Sequence, residues 1–144
     1  MKKTKTINSI LWILQGLLAL VFLLDGSLEA FMPIGTLAHL FPWVSAVPPV
    51  LIRVIGVCEL LGVIGILVPP LVRILPWLAI GAASGFLLVV ASGAILHLLR
   101  HEYGVIGVNL VLFLLAALVV YGRVALAPFP KGSFAPGISK TTAL

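Results

Sequence analysis

The chain has 144 residues, 62% of them hydrophobic and only 9% charged, with a net charge of +5. A soluble domain carries roughly 45–50% apolar and about 25% charged residues, so this composition excludes an ordinary water-soluble globule and points to a bilayer as solvent. The nine Lys and Arg form no stripe and have no interleaved aromatics, which excludes a nucleic-acid interface.

Four continuous apolar runs follow one another: 7–31, 49–68, 76–99 and 104–126. Each is near the roughly 20 residues that cross about 30 Å of hydrocarbon. They lack the alternation of a membrane barrel strand. The predicted fold is all-α: an integral membrane four-helix bundle forming one domain over 1–126. The first run begins with Lys2, Lys3 and Lys5, as a signal peptide does. It continues past Asp25 and Glu29 to Phe31 and no A-x-A site follows, so a retained helix is expected.

The next segment, "PIGTLAHLFPWVSAVPP" at 33–49, is apolar but broken by Pro33, Pro42, Pro48 and Pro49. It is too short to span. A long outer loop is expected here, with Leu37, Leu40, Phe41 and Trp43 suiting a segment that lies in the interface and caps the bundle. His39 reads as an interface residue, and Trp12, Trp43 and Trp77 as aromatic-belt residues.

Helix two then carries "RVIGVCELLGVIGIL" at 53–67. "VPPLVR" at 68–73 reads as a tight turn, because consecutive prolines cannot donate to a helix. This places the end of helix two near Val68, with Pro76 in the first turn of helix three. "LRHEYG" at 99–104 is the second outer connection. The tail, 127–144, is rich in Pro, Gly, Ser and Thr, and is expected to be flexible and cytoplasmic.

Four spans put both termini on one side, with Lys2, Lys3, Lys5, Arg73, Arg123, Lys131 and Lys140; the other side holds Arg53 and Arg100. Seven against two predicts a cell-membrane protein with cytoplasmic termini, its cations touching anionic lipid headgroups. Gly56, Gly62 and Gly65 on helix two, and Gly81, Ser84 and Gly85 on helix three, form small-residue faces. Such faces fit packing within the bundle or a homodimer seam. The lone Cys58 cannot form an internal disulfide and reads as a small packing residue.

Glu59 stands roughly 15 Å along helix two from its outer end, near the bilayer centre. Asp25 and Glu29 lie four apart in the outer half of helix one and share a face. Arg53 starts helix two, His97 and Arg100 close helix three, Glu102 follows in the loop, and Asn109 is about 7 Å into helix four. A carboxylate at the centre costs at least about 2.5–3.5 kcal/mol, so the expectation is convergence on a shared interior site. Arg53 and either Arg100 or a charged His97 are expected to pair with carboxylates. The eight residues Asp25, Glu29, Arg53, Glu59, His97, Arg100, Glu102 and Asn109 are therefore candidate ligand contacts. A structural clamp fits the same cluster, and Arg53, Arg100 and Glu102 could instead snorkel to the headgroups. No Glu-x-x-His pair, nucleophile motif, C-x-x-C or P-loop occurs. No metal, cofactor or catalytic group is expected.

These residues carry a resemblance. "RVIGVCELLGVIGILVPP" at 53–70, "GAILHLLRHE" at 93–102 and "NLVLFLLAALVVYGR" at 109–123 resemble the second, third and last helices of DoxX-like membrane proteins. The likeness covers about residues 15–125. It implies a four-helix bundle in which Arg53, Glu59, His97, Glu102 and Asn109 take the family's polar positions. The family's first helix usually ends with glycine and then lysine three residues on. Here Gly26 is followed by Glu29, which makes Arg53 or Arg100 the expected partner of helix one. Relatives are associated with quinone-linked oxidoreductase complexes, and a NACHO-type branch acts in the assembly of ligand-gated channels. The residues themselves favour a non-enzymatic role, binding a lipid-like ligand or docking a membrane-protein partner. A subunit of a quinone-linked oxidoreductase and a small proton-coupled transporter are the alternatives.

Overall fold

A backbone in hydrocarbon must satisfy its own N–H and C=O groups, so apolar runs of this length become helices. The computed structural model describes residues 2–129. In chain order α1 is Lys2–Phe31, α2 is Ile34–Leu40, a 3-10 turn covers Pro42–Ala46, α3 is Pro49–Val72, α4 is Leu78–Leu99 and α5 is Tyr103–Tyr121, continued by a π-helical turn over Gly122–Leu126. There is no strand among the described residues. Helices α1, α3, α4 and α5 are long and apolar enough to cross a membrane. Their outward faces carry large apolar side chains such as Ile13, Leu61, Leu98 and Leu114, the surface that acyl chains would cover.

α1 packs on α3, α3 on α4, α4 on α5, and α5 returns to α1. The central core gathers Leu18 and Phe22 from α1, Ile66 from α3, Ala83 and Phe86 from α4, and Val119 from α5. Phe22 and Phe86 stack with centroids 3.8 Å apart and planes 2° from parallel. Gly62 makes room for that pair, since a Cβ there would lie 2.6 Å from the Phe86 ring. Gly26 and Gly56 let α1 and α3 touch backbone to backbone: a Cβ on Gly56 would come 2.7 Å from both the Ala30 nitrogen and Glu29 Cβ. Gly65 meets Ala82 Cβ, whereas Gly81 and Gly85 have nothing within 4 Å. The small-residue face of α3 is thus used inside the bundle and that of α4 is not.

Three local expectations need correction. The segment between α1 and α3 is helical rather than an irregular loop: Leu37 of α2 and Val44 of the 3-10 turn bury against Ile52 of α3. The apolar stretches between prolines close short helices of about two turns each, with each proline at or beside a start where no N–H is needed. Next, α3 runs on through Pro69 and Pro70 to Val72. Pro70 cannot donate to the Ile66 carbonyl four residues back, but the Gln15 amide of α1 donates to that oxygen at 2.9 Å. The helix ends instead at Arg73, in a left-handed conformation with φ 58° and its N–H on the Pro69 carbonyl. Finally, Cys58 is exposed on the outside of α3 and does not pack in the core. The expected flexible tail lies outside the described residues from position 130 on; Ala127 is buried, and Phe129 sets its ring edge-on to Trp12 at 6.4 Å.

Candidate functional site

α1 and α5 meet firmly at one end only. There Gly122 receives Leu11, with a Cβ at Gly122 coming 2.3 Å from Leu11 Cδ2. Towards their other ends a cavity of about 870 Å³ lies between α1, α3, α4 and α5, with Phe41, Trp43 and Val47 of the α1–α3 connection along its rim. Its wall is mostly apolar, with Val21, Leu28, Leu88 and Leu112 among its lining residues.

Of the eight residues singled out in the sequence, Asp25, Glu29, Glu59, His97 and Asn109 line this one cavity, while Arg53, Arg100 and Glu102 do not. Glu59 is 2% exposed and Glu29 4%. The Oε2 atoms of both, and Nδ2 of Asn109, are buried with no hydrogen-bond partner. Asp25 keeps an exposed side chain. Gly26 clears space for Glu59, since a Cβ there would stand 3.0 Å from Glu59 Cβ and 3.3 Å from Oε2.

The expected pairing of Arg53 with a carboxylate is not formed. Its guanidinium donates to the backbone carbonyls of Glu29 and, at 2.6 Å, of Met32. These oxygens close α1, where no following turn supplies an N–H, so Arg53 caps the helix. Arg100 also leaves helix one alone. Its Nε donates to Glu102 Oε1 at 2.8 Å, and Nη2 reaches the Pro42 carbonyl at 3.4 Å. His97 Nδ1 lies 2.7 Å from Glu102 Oε2, and Trp43 stands edge-on to the same imidazole at 6.5 Å. Hydrogen bonds from His97 and then Arg100 hold the Glu102 carboxyl below its ordinary range. Glu102 therefore fastens the turn between α4 and α5, where His101 adopts φ 59°. Among the described residues, no Lys, Arg or His forms an ion pair with Asp25, Glu29 or Glu59, and no three His, Cys, Asp or Glu converge closely enough to hold a metal.

A second polar cluster occupies the opposite end of the bundle. Arg123 is 1% exposed. Its Nε donates to Gln15 Oε1 at 2.8 Å and Nη1 to Asn8 Oδ1. Its guanidinium lies over the Phe129 ring at 4.1 Å and the Trp12 ring at 5.4 Å. Sequence reasoning counted Arg123 only as a topology charge. The signal available was Asn8 and Gln15, seven apart and so on one face of α1, which call for a donor from another helix. Through Gln15 this cluster joins α5 to α1 and to the Ile66 carbonyl of α3.

Compared with known families, residues 13–119 match the model of the DoxX-like family. No curated protein and no solved structure matches the chain.

Proposed function

The chain belongs to the DoxX-like family of integral membrane proteins, and from that premise we propose that its chamber binds a lipid-like ligand without transforming it. The observation that carries this reading is a cavity of about 870 Å³ whose mostly apolar wall encloses Asp25, Glu29, Glu59, His97 and Asn109. Ligand sites of roughly 300–1,000 Å³ combine an apolar wall with a few placed polar groups. Helices with all-apolar neighbours have no reason to hold unpartnered carboxyl oxygens at this depth, since each costs about 2.5 kcal/mol or more as a charge. The excess of Lys and Arg on the side of the termini supports cytoplasmic termini and a location in the cell membrane. The chamber then opens toward the outer leaflet.

A second reading, a subunit of a quinone-linked oxidoreductase, is favoured by the His97–Glu102 pair, whose imidazole lines the same chamber. A hydrogen-bonded imidazole can exchange a proton with a quinone oxygen.

Native mass spectrometry of the protein from mild detergent tests both. The expected spectrum shows a bound species of lipid mass, lost in Gly93→Leu. A Cβ at Gly93 meets only Asn109 Nδ2, at 3.9 Å, so the leucine enters the chamber without clashing with backbone. A quinone mass selects the second reading. A bare wild-type protein, or a ligand count unchanged by Gly93→Leu, contradicts both.

A further inference from the structure

The chamber has acceptors in excess, and the excess has a sign. We propose that it takes a cationic amphiphile, with a protonated amine at Asp25, Glu29 and Glu59 and an apolar body along the rest of the wall; this rests on the ligand-binding reading above.

Three acidic side chains from two helices face one space. Two of them, Glu29 and Glu59, are more than nine-tenths buried, and each carries a carboxyl oxygen with no hydrogen-bond partner. The basic side chains beside the chamber are committed elsewhere: Arg53 to the carbonyls of Glu29 and Met32, Arg100 to Glu102 and Pro42, and the His97 imidazole to Glu102. Asn109 offers one free amide NH2 group against these three carboxyl groups.

Buried carboxylates without a counter-charge are strongly unfavourable, and a partner cation relieves that cost. An ammonium group brings a positive charge and three donors, so it can bond one of these carboxyl groups directly and act on the others through its charge. Trp43 and Phe41 on the rim add π faces that attract cations. An inorganic ion does not fit as well. The space is many times larger than an ion needs, and its acidic groups do not converge at metal-ligand distance. An anionic headgroup would find no uncommitted arginine at this end of the bundle.

The test titrates the full-length protein in a nonionic detergent with dodecylamine, dodecanol and dodecanoate, following tryptophan fluorescence and subtracting protein-free micelles. Dodecylamine is expected to bind about tenfold or more tighter than dodecanol, equivalent to 1.4 kcal/mol, with dodecanoate weakest. Glu29→Gln/Glu59→Gln should lose the preference for the amine over dodecanol. Should that double variant fail to fold, Asp25→Asn, whose side chain is exposed at the chamber wall, should still weaken the preference several-fold. Equal binding of dodecanol and dodecylamine by the wild type overturns the amine assignment and leaves the ligand-binding reading standing. An amine preference unchanged in every variant overturns it too. Absence of saturable binding by any probe overturns both.

Discussion

Gln15 of α1 repairs a bond that Pro70 of α3 breaks. The Ile66 carbonyl, which Pro70 cannot reach with an N–H, takes its hydrogen bond from the Gln15 amide at 2.9 Å. The other end of that amide accepts from Arg123, so one side chain ties three helices together. Leaving a buried acceptor unpaired costs about 1–3 kcal/mol, so Gln15→Leu should lower thermal stability by that order. In a Pro70→Ala background the helix regains its own N–H donor, and Gln15→Leu should then cost about 1 kcal/mol less, within the usual range for coupled contacts. A double-mutant cycle on melting in detergent measures this; strict additivity would show that the two residues act independently.

Arg53 acts as a helix cap. Arg53→Ala should destabilise by about 1.5–3 kcal/mol, the range for hydrogen bonds involving a charged group, because two carbonyls at the end of α1 lose their partner. Arg53→Lys should fall between, since an ammonium cannot hold two acceptors in a planar fork. Adding Glu29→Gln should not relieve the loss. Relief would mean that the carboxyl group, and not the backbone oxygen, is what Arg53 serves.

Two glycines test the close approach of α1 and α3. A methyl at Gly56 meets backbone at 2.7 Å, while one at Gly85 meets nothing within 4 Å. Overpacking of this kind costs about 1–3 kcal/mol, whereas Gly→Ala inside an unobstructed helix is neutral or favourable by about 0.5–1 kcal/mol. Melting curves for Gly56→Ala and Gly85→Ala should therefore move in opposite directions.

Glu102 gives a pH signature. Its carboxyl is held below its ordinary value of 4.5 by His97 and Arg100. The folded state thus favours the ionised form. The stabilisation is complete above about pH 4.5 and is lost as the pH falls through the lower folded value. The stability gap between wild type and Glu102→Gln should be constant near neutrality and shrink on acidification below pH 4.5. A gap that grows in acid would mean that the turn holds Glu102 protonated.

The four spans were legible because hydropathy and length alone decide them. The common level of Asp25, Glu29, Glu59, His97 and Asn109 was legible too, since helical rise converts position into depth. Partners were not. Arg53 was assigned a carboxylate because a sequence displays charges and hides the bare carbonyls at a helix end. The Pro69–Pro70 pair read as a stop because the repair comes from Gln15, 51 residues away along the chain. Arg123 read as an anchor in headgroups because its acceptors, Gln15 and Asn8, lie more than 100 residues before it. Small-residue spacing likewise appears on α3 and α4 alike, and only the packing separates the buried face from the open one.

The most direct test is a crystal structure of the protein grown from a lipid phase. It should show elongated density filling the space between α1 and α5, ending at hydrogen-bonding distance from Glu59. A bundle in which α1 and α5 close together along their whole length, with Asp25 and Asn109 turned outward to the acyl chains, would contradict the account.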